Sequence, residues 1–144
     1  MGNLVDSRQE MMGNKAISIA NCIFNSVESK TILQIGSCFE SNHIVNQFLQ
    51  YGGCSKENII KTDNQNNIST GQDCDLIPYI EVADIIIISA TTSGDFIRSI
   101  NFESILKKGG KCHMLIINVS INIDIDRRLN PIKDIFYFHF LHLN

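Results

Sequence analysis

Three observations predict an α/β domain built on a three-layer, doubly wound parallel sheet. Short β-branched runs alternate with segments of helical period along the 144 residues. The run Asp84-Ile-Ile-Ile-Ile-Ser89 places four isoleucines in succession, the pattern of a strand covered on both faces. Thr31-Ile-Leu-Gln-Ile35 ends in Gly36 just before a helical segment, which is the strand–turn–helix order of a right-handed βαβ unit.

The elements follow in order. Residues 1–13 are mixed and polar and read as a loose lead-in. Asn14 reads as an N-cap, after which Ala16, Ile17, Ile19, Ala20, Ile23, Phe24 and Val27 form a stripe of helical period. The first strand, 31–35, is followed by a helix from Glu40 to Gln50. Tyr51-Gly52-Gly53 closes that helix, glycine being the usual residue past a helix end. Asn58-Ile-Ile-Lys61 is a second strand. Residues 62–75 carry no period and read as a loop. Ile77–Ala83 is a turn or short helix, and Asp84–Ser89 is the third predicted strand. Thr91–Gly94 is a loop, and Asn101–Lys108 a helix stopped by Gly109-Gly110. His113–Val119 is a further buried strand. The tail from Leu129 to Leu143 is apolar and aromatic. The main domain is expected to span 14–128.

Composition excludes several function classes. Hydrophobic residues make up 44% and charged residues 19%, which suits a globular domain and argues against disorder. The formal net charge of -3 offers no basic excess for gripping a nucleic-acid backbone. No apolar run is long enough to span a bilayer. No basic-then-apolar leader opens the chain, so a cytoplasmic location is expected. The five cysteines form no CxxC pair and read as reduced thiols. Cys22 and Cys112 lie in apolar patterns and read as buried packing residues. The four histidines show no ligand spacing with the cysteines, so no metal site is expected.

The segment with chemical content is the first strand–helix turn. In a doubly wound sheet this turn binds a dinucleotide: one glycine makes the turn, a second admits the pyrophosphate, and helix N-terminal amides hold the anion. Here the segment is Gly36-Ser37-Cys38-Phe39-Glu40-Ser41. It keeps the first glycine, places the Cys38 side chain where the phosphate would approach, and adds a bulky Phe39. Asp63, at the end of the second strand, suits a hydrogen bond to a ribose 2′-hydroxyl and would repel a 2′-phosphate. The alternatives for these residues are a plain strand–helix turn and a turn-forming acid in a solvated loop.

Several segments together resemble the nucleotide-binding, Rossmann-like domain of the glutamyl-tRNA reductase family. Asn14–Val27 looks like the family's helix before the first strand. Ile32-Leu-Gln-Ile-Gly36 looks like the strand entering its Gly-Ala-Gly-Glu-Met turn. Ala83-Asp84, the isoleucine run and Ser89-Ala-Thr91-Thr-Ser93 are similar to its Ala-Asp, apolar run and Ser-Thr-Ala-Ser stretch. Met114–Asp124 resembles its Asp-Ile-Ala-Val-Pro-Arg-Asp strand and loop. The aromatic tail looks like the start of the following long helix, so 129–144 is expected to open a helical segment. The sequence departs from the family at Ser37 and Cys38 (for Ala and Gly), at Asp63 (for an arginine), and at Asn118, Asn122 and Ile123 (for Asp, Pro and Arg). The stretch from Asp63 to Asp84 is shorter than in the family, so an eroded second helix and third strand are expected.

The resemblance implies an oxidoreductase domain that holds NADP or NAD, the family using NADPH to reduce glutamyl-tRNA to glutamate-1-semialdehyde in tetrapyrrole (porphyrin) biosynthesis. Cofactor contacts are then expected at Gly36, Ser37, Cys38, Phe39, Glu40, Ser41, Asp63 and Thr91. The family's nucleophilic cysteine motif, Ser-Thr-Cys-Asn-Arg, does not occur in this sequence. No catalytic residue is therefore assigned, and glutamyl-tRNA would be reached only through missing domains or a separate catalytic-domain chain. Two alternatives stand beside this reading: an inactive Rossmann-like relic or binding module, and another small dehydrogenase of shikimate or siroheme type.

Overall fold

The computed structural model describes residues 4–62, 76–89, 97, 100–120, 125–129 and 131–140. The elements are α1 (Leu4–Phe24), β1 (Ile32–Ile35), α2 (Phe39–Gln50), a 3₁₀ turn (Lys56–Asn58), β2 (Ile59–Thr62), α3 (Ile77–Val82), β3 (Ile85–Ile88), α4 (Phe102–Lys108), β4 (Met114–Asn118), α5 (Asp126–Leu129) and β5 (Ile135–His139). The strands form one five-stranded sheet in the order β2-β1-β3-β4-β5. Every pairing is parallel, and helices cover both faces, as the isoleucine run required.

All residues of β1, β3 and β4 are buried. The four isoleucines divide between two cores. Ile85 and Ile87 join Ile32, Leu115 and Ile117 beneath α1 and α2. Ile86 and Ile88 join Leu33, Ile35 and Ile116 beneath α3, α4 and α5. This is the alternation of a strand's side chains between two apolar layers.

Helix α1 begins at Leu4, so residues 4–13 are helical and the loose lead-in is corrected. The reason is tertiary. Met12 is buried against the sheet. A Cβ on Gly13 would collide with Cγ of Gln47 in α2. The glycine thus allows the two helices to approach, which outweighs its poor helix propensity. At the other end, Asn25 adopts φ 66° and its N–H donates to Asn21 O at 2.9 Å. That left-handed residue ends the helix before Val27.

The tail also differs from expectation. Ile135–His139 is a strand paired with β4, not the start of a helix. Its residues alternate, with Ile135 and Tyr137 buried and Phe136 exposed, a period of two that β-branched and aromatic residues support. The sheet therefore continues through His139, past the expected boundary at 128. Asp134 turns the chain into it at φ 72°. Of the stretch between Asp63 and Asp84, expected to hold an eroded second helix and third strand, residues 76–84 are described and carry the short helix α3 and no strand, while 63–75 lie outside the described residues.

The cysteines are distributed differently as well. Cys22 and Cys112 are exposed and Cys54 is buried. Cys22 lies on the side of α1 that borders Phe136 and Phe138 of β5, and Cys112 lies in the turn before β4. The Cys54 thiol donates to Val27 O at 3.2 Å. Burial, then the Glu28 charge, push it up to about 11. The folded state therefore holds this proton more tightly than the unfolded chain, whose thiols ionise near about 8.5. The stability that this contributes is complete below that pH and is lost as pH rises towards 11. Urea unfolding between pH 8 and 11 should show a fall of about 2–3 kcal/mol that Cys54→Ala lacks. A fall of equal size in both proteins would sink this assignment.

Candidate functional site

The strand order reverses between β1 and β3. Helix α2 leaves β1 on one face, and the connection through α3 returns to β3 on the other. The carboxyl ends of these two strands flank the crevice where such sheets take ligands. At its mouth, Gly36 adopts φ 77°, a left-handed conformation that side chains resist. The glycine expected to make the tight turn does make it.

Cys38 is the N-cap of α2, in extended conformation. Its Sγ accepts from Ser41 N at 3.4 Å, and its own N–H donates to Ser41 Oγ at 3.1 Å. This is a capping box built with a thiol. Ser41 is buried and is the centre of a network. Gln34 Nε2 donates to Ser41 Oγ at 2.9 Å and to Asn42 Oδ1 at 2.6 Å. Ser89 Oγ donates to Ser41 Oγ at 2.8 Å. Ser37 and Asn42 side chains meet at 3.1 Å. The first turn of α2 is thereby tied to β1 and to the end of β3, the two strands of the crevice. Glu40 places a carboxylate in that first turn, where the helix dipole favours negative charge. Phe39 is 65% exposed.

The structure thus brings together Gly36, Ser37, Cys38, Phe39, Glu40 and Ser41. Asp63 and Thr91 lie outside the described residues. Sequence reading missed Gln34, Asn42 and Ser89. One signal was present: Gln34 interrupts an apolar strand, and a polar residue buried there needs partners.

A second polar group lies along the same carboxyl edge, on the opposite face. Asn118 pairs in register with Ile88 and His139. Its Oδ1 accepts from Ser120 N at 2.9 Å and Oγ at 2.6 Å, and its Nδ2 donates to Tyr137 Oη at 2.9 Å. His139 Nε2 donates to Ser120 O at 2.8 Å, which fixes the proton on that nitrogen.

A nicotinamide dinucleotide fits this geometry in part. The turn, the crevice and the helix N-terminus are in place. The Ser41 N–H, which would be one donor for a pyrophosphate there, is already held by Cys38 Sγ. No three His, Cys, Asp or Glu side chains among the described residues could hold a metal ion. No helix among them is long and apolar enough to cross a membrane.

No protein-family model matches the chain, and no curated protein sequence matches it. Among solved structures, the chain is similar to the glutamyl-tRNA reductase from Methanopyrus kandleri, with a TM-score of 0.67 and 15% sequence identity. The match covers 92% of this chain and 35% of that one, so the chain spans about a third of the reductase's length. At that identity the likeness is one of fold: a Rossmann-like α/β domain.

Proposed function

We propose that the chain is a nicotinamide-dinucleotide-binding domain of the glutamyl-tRNA reductase type. The observation that carries this reading is the left-handed Gly36 turn, set between β1 and the N-terminus of α2 at the reversal of strand order. The similarity of fold to a reductase supports it. The cofactor would supply the hydride. The protein would hold its pyrophosphate over Gly36–Ser41, with Asp63 at the adenosine ribose and Thr91 as a further cofactor contact. Positioning is then the chain's task, and the family's tRNA substrate would be met through another domain or chain.

Titration calorimetry with NADH and NADPH tests this. Both bind weakly, because Cys38 covers a helix N-terminal donor. Cys38→Gly frees the Ser41 N–H and tightens both cofactors by about tenfold, roughly 1.4 kcal/mol, since it acts on their shared pyrophosphate. The cap itself loses little, glycine being a fair N-cap. Heat from neither cofactor with either protein overturns the reading. It would favour the alternative of a non-catalytic module, which the self-closed capping box also suits.

Asp63→Arg separates the two cofactors. A carboxylate beside a 2′-phosphate is a like-charge contact that costs on the order of 1–3 kcal/mol with the lost ribose hydrogen bond. The wild-type chain therefore binds NADH at least as well as NADPH, and the arginine variant favours NADPH. An unchanged ratio would remove Asp63 from the ribose. The 144-residue chain alone does not reduce glutamyl-tRNA, and turnover above a cofactor-free control would refute that.

A further inference from the structure

Helix α1 has two faces. Met12, Ala16, Ile17 and Ala20 are buried against the sheet and α2. The stripe Lys15, Ser18, Ile19, Cys22 and Ile23, at helical spacing, forms one wall of an open groove of about 520 Å³. Phe136 and Phe138 of β5 with His113 form the remainder. The floor is apolar: Phe136 is 37% exposed, and its ring meets His113 edge-on at 5.6 Å. A second hollow shares Ile23 and His113 and continues the groove past Phe24 to Lys30 and Lys111.

The groove's place in the layers decides what shape fits it. On this face α1 and α2 pack side by side over β1, β3 and β4. Beside α1, the same face of β5 carries no helix among the described residues. A sheet face is covered by elements of its own layer, so the strip left open by the described residues has the shape of a third helix lying against α1. The stripe from Lys15 to Ile23 is about 12 Å long, which matches a helix of two to three turns.

The charge on the rim decides what kind of helix. The chain is acidic overall, with a net charge of -3. The groove nevertheless carries Lys15 at one end, and Lys30 and Lys111 at the other. Of the acids beside it, Asp84 is held by Lys111 at 3.0 Å and Asp134 meets His113 Nδ1 at 3.5 Å. Lys30 lies over the Phe24 ring at 5.2 Å. Neither Lys15 nor Lys30 has an ion-pair partner among the described residues. An apolar trough between two cationic ends complements an apolar stripe flanked by carboxylates.

We propose that this groove is the docking site for an amphipathic helix with an acidic flank, supplied by another polypeptide. The proposal does not rest on dinucleotide binding, because none of its residues belongs to the glycine turn.

The probe is a fluorescein-labelled, stapled helical peptide of about twelve residues, with leucines at every third and fourth position and glutamates beside them. Its isomer carries lysine for each glutamate. Anisotropy titrations use the full chain under reducing conditions. The acidic peptide should bind at least tenfold more tightly than the lysine isomer. Lys15→Glu should weaken it about tenfold, and Cys22→Arg, which fills the groove from an exposed position, should abolish binding. Amide shift changes in ¹⁵N spectra should cluster on 15–23 and 136–138. Absence of binding by the acidic peptide overturns the proposal. So do equal affinities for the two isomers, indifference to both substitutions, or shift changes elsewhere. A dimer of the chain alone that Cys22→Arg dissolves also overturns it, in favour of a second copy as occupant.

Discussion

Asp84→Ala should destabilise the fold by about 2–4 kcal/mol and lower Tm by roughly 10 °C. The residue looks like part of a family motif, yet its place is structural. It stands at the amino edge of the sheet, where β1, β3 and β4 begin. Its Oδ2 accepts from Thr31 N at 2.9 Å and its Oδ1 from Lys111 Nζ at 3.0 Å. Its backbone continues the stitching, with Asp84 N donating to Thr31 O and Leu115 N donating to Asp84 O, both at 2.9 Å. Both ion-pair partners are mostly covered, with side-chain exposures of 22% and 14%. Alanine leaves the Thr31 amide and the Lys111 ammonium short of partners in a half-dry site, which costs more than an exposed pair would. Asp84→Asn keeps an acceptor for Thr31 and should lose about half as much. A urea series giving under about 1 kcal/mol for alanine would mean that water replaces these bonds.

Ile87→Ala should cost about 3–5 kcal/mol, and Ile87→Val about 0.5–1.5 kcal/mol. Ile87 is fully buried in the middle strand of the sheet. It lies in the core that α1 and α2 close, with Ile44, Val45 and Phe48 from α2. Removing three carbons there leaves a cavity that neighbouring strands, held in register on both sides, cannot collapse to fill. Denaturation midpoints read both numbers. Equal losses for alanine and valine would show that the site relaxes and that the core under α2 is loosely packed.

The parts of this protein that follow from local pattern were legible without coordinates. Four consecutive isoleucines can be satisfied only by a strand with an apolar layer on each side, and Ile85–Ile88 divides two and two between such layers. Gly36 between a buried strand and a helix announced a turn that side chains resist, and its φ is 77°. The segment of the candidate site nearest that turn was legible for the same reason: its residues are neighbours in sequence as well as in space.

The rest depends on partners distant in the chain. Gly13 reads as part of a loose lead-in until Gln47 of α2 is placed against it. The tail reads as the start of a helix until β4 offers an edge to Ile135–His139. Cys22 reads as core until α1 is rotated to bury Ala16 and Ala20 instead. Ser41 gains its role only when Gln34, seven residues before it, and Ser89, 48 residues after it, close on its hydroxyl. By itself the sequence determined a parallel α/β sheet and the position of its glycine turn, because period, β-branching and glycine act through nearest neighbours. Tertiary structure alone decided that the turn is closed on its own thiol, that Asp84 ties three strands together, and that α1 leaves a groove beside β5. Hydrogen bonds and burial across dozens of residues have no local signature to read.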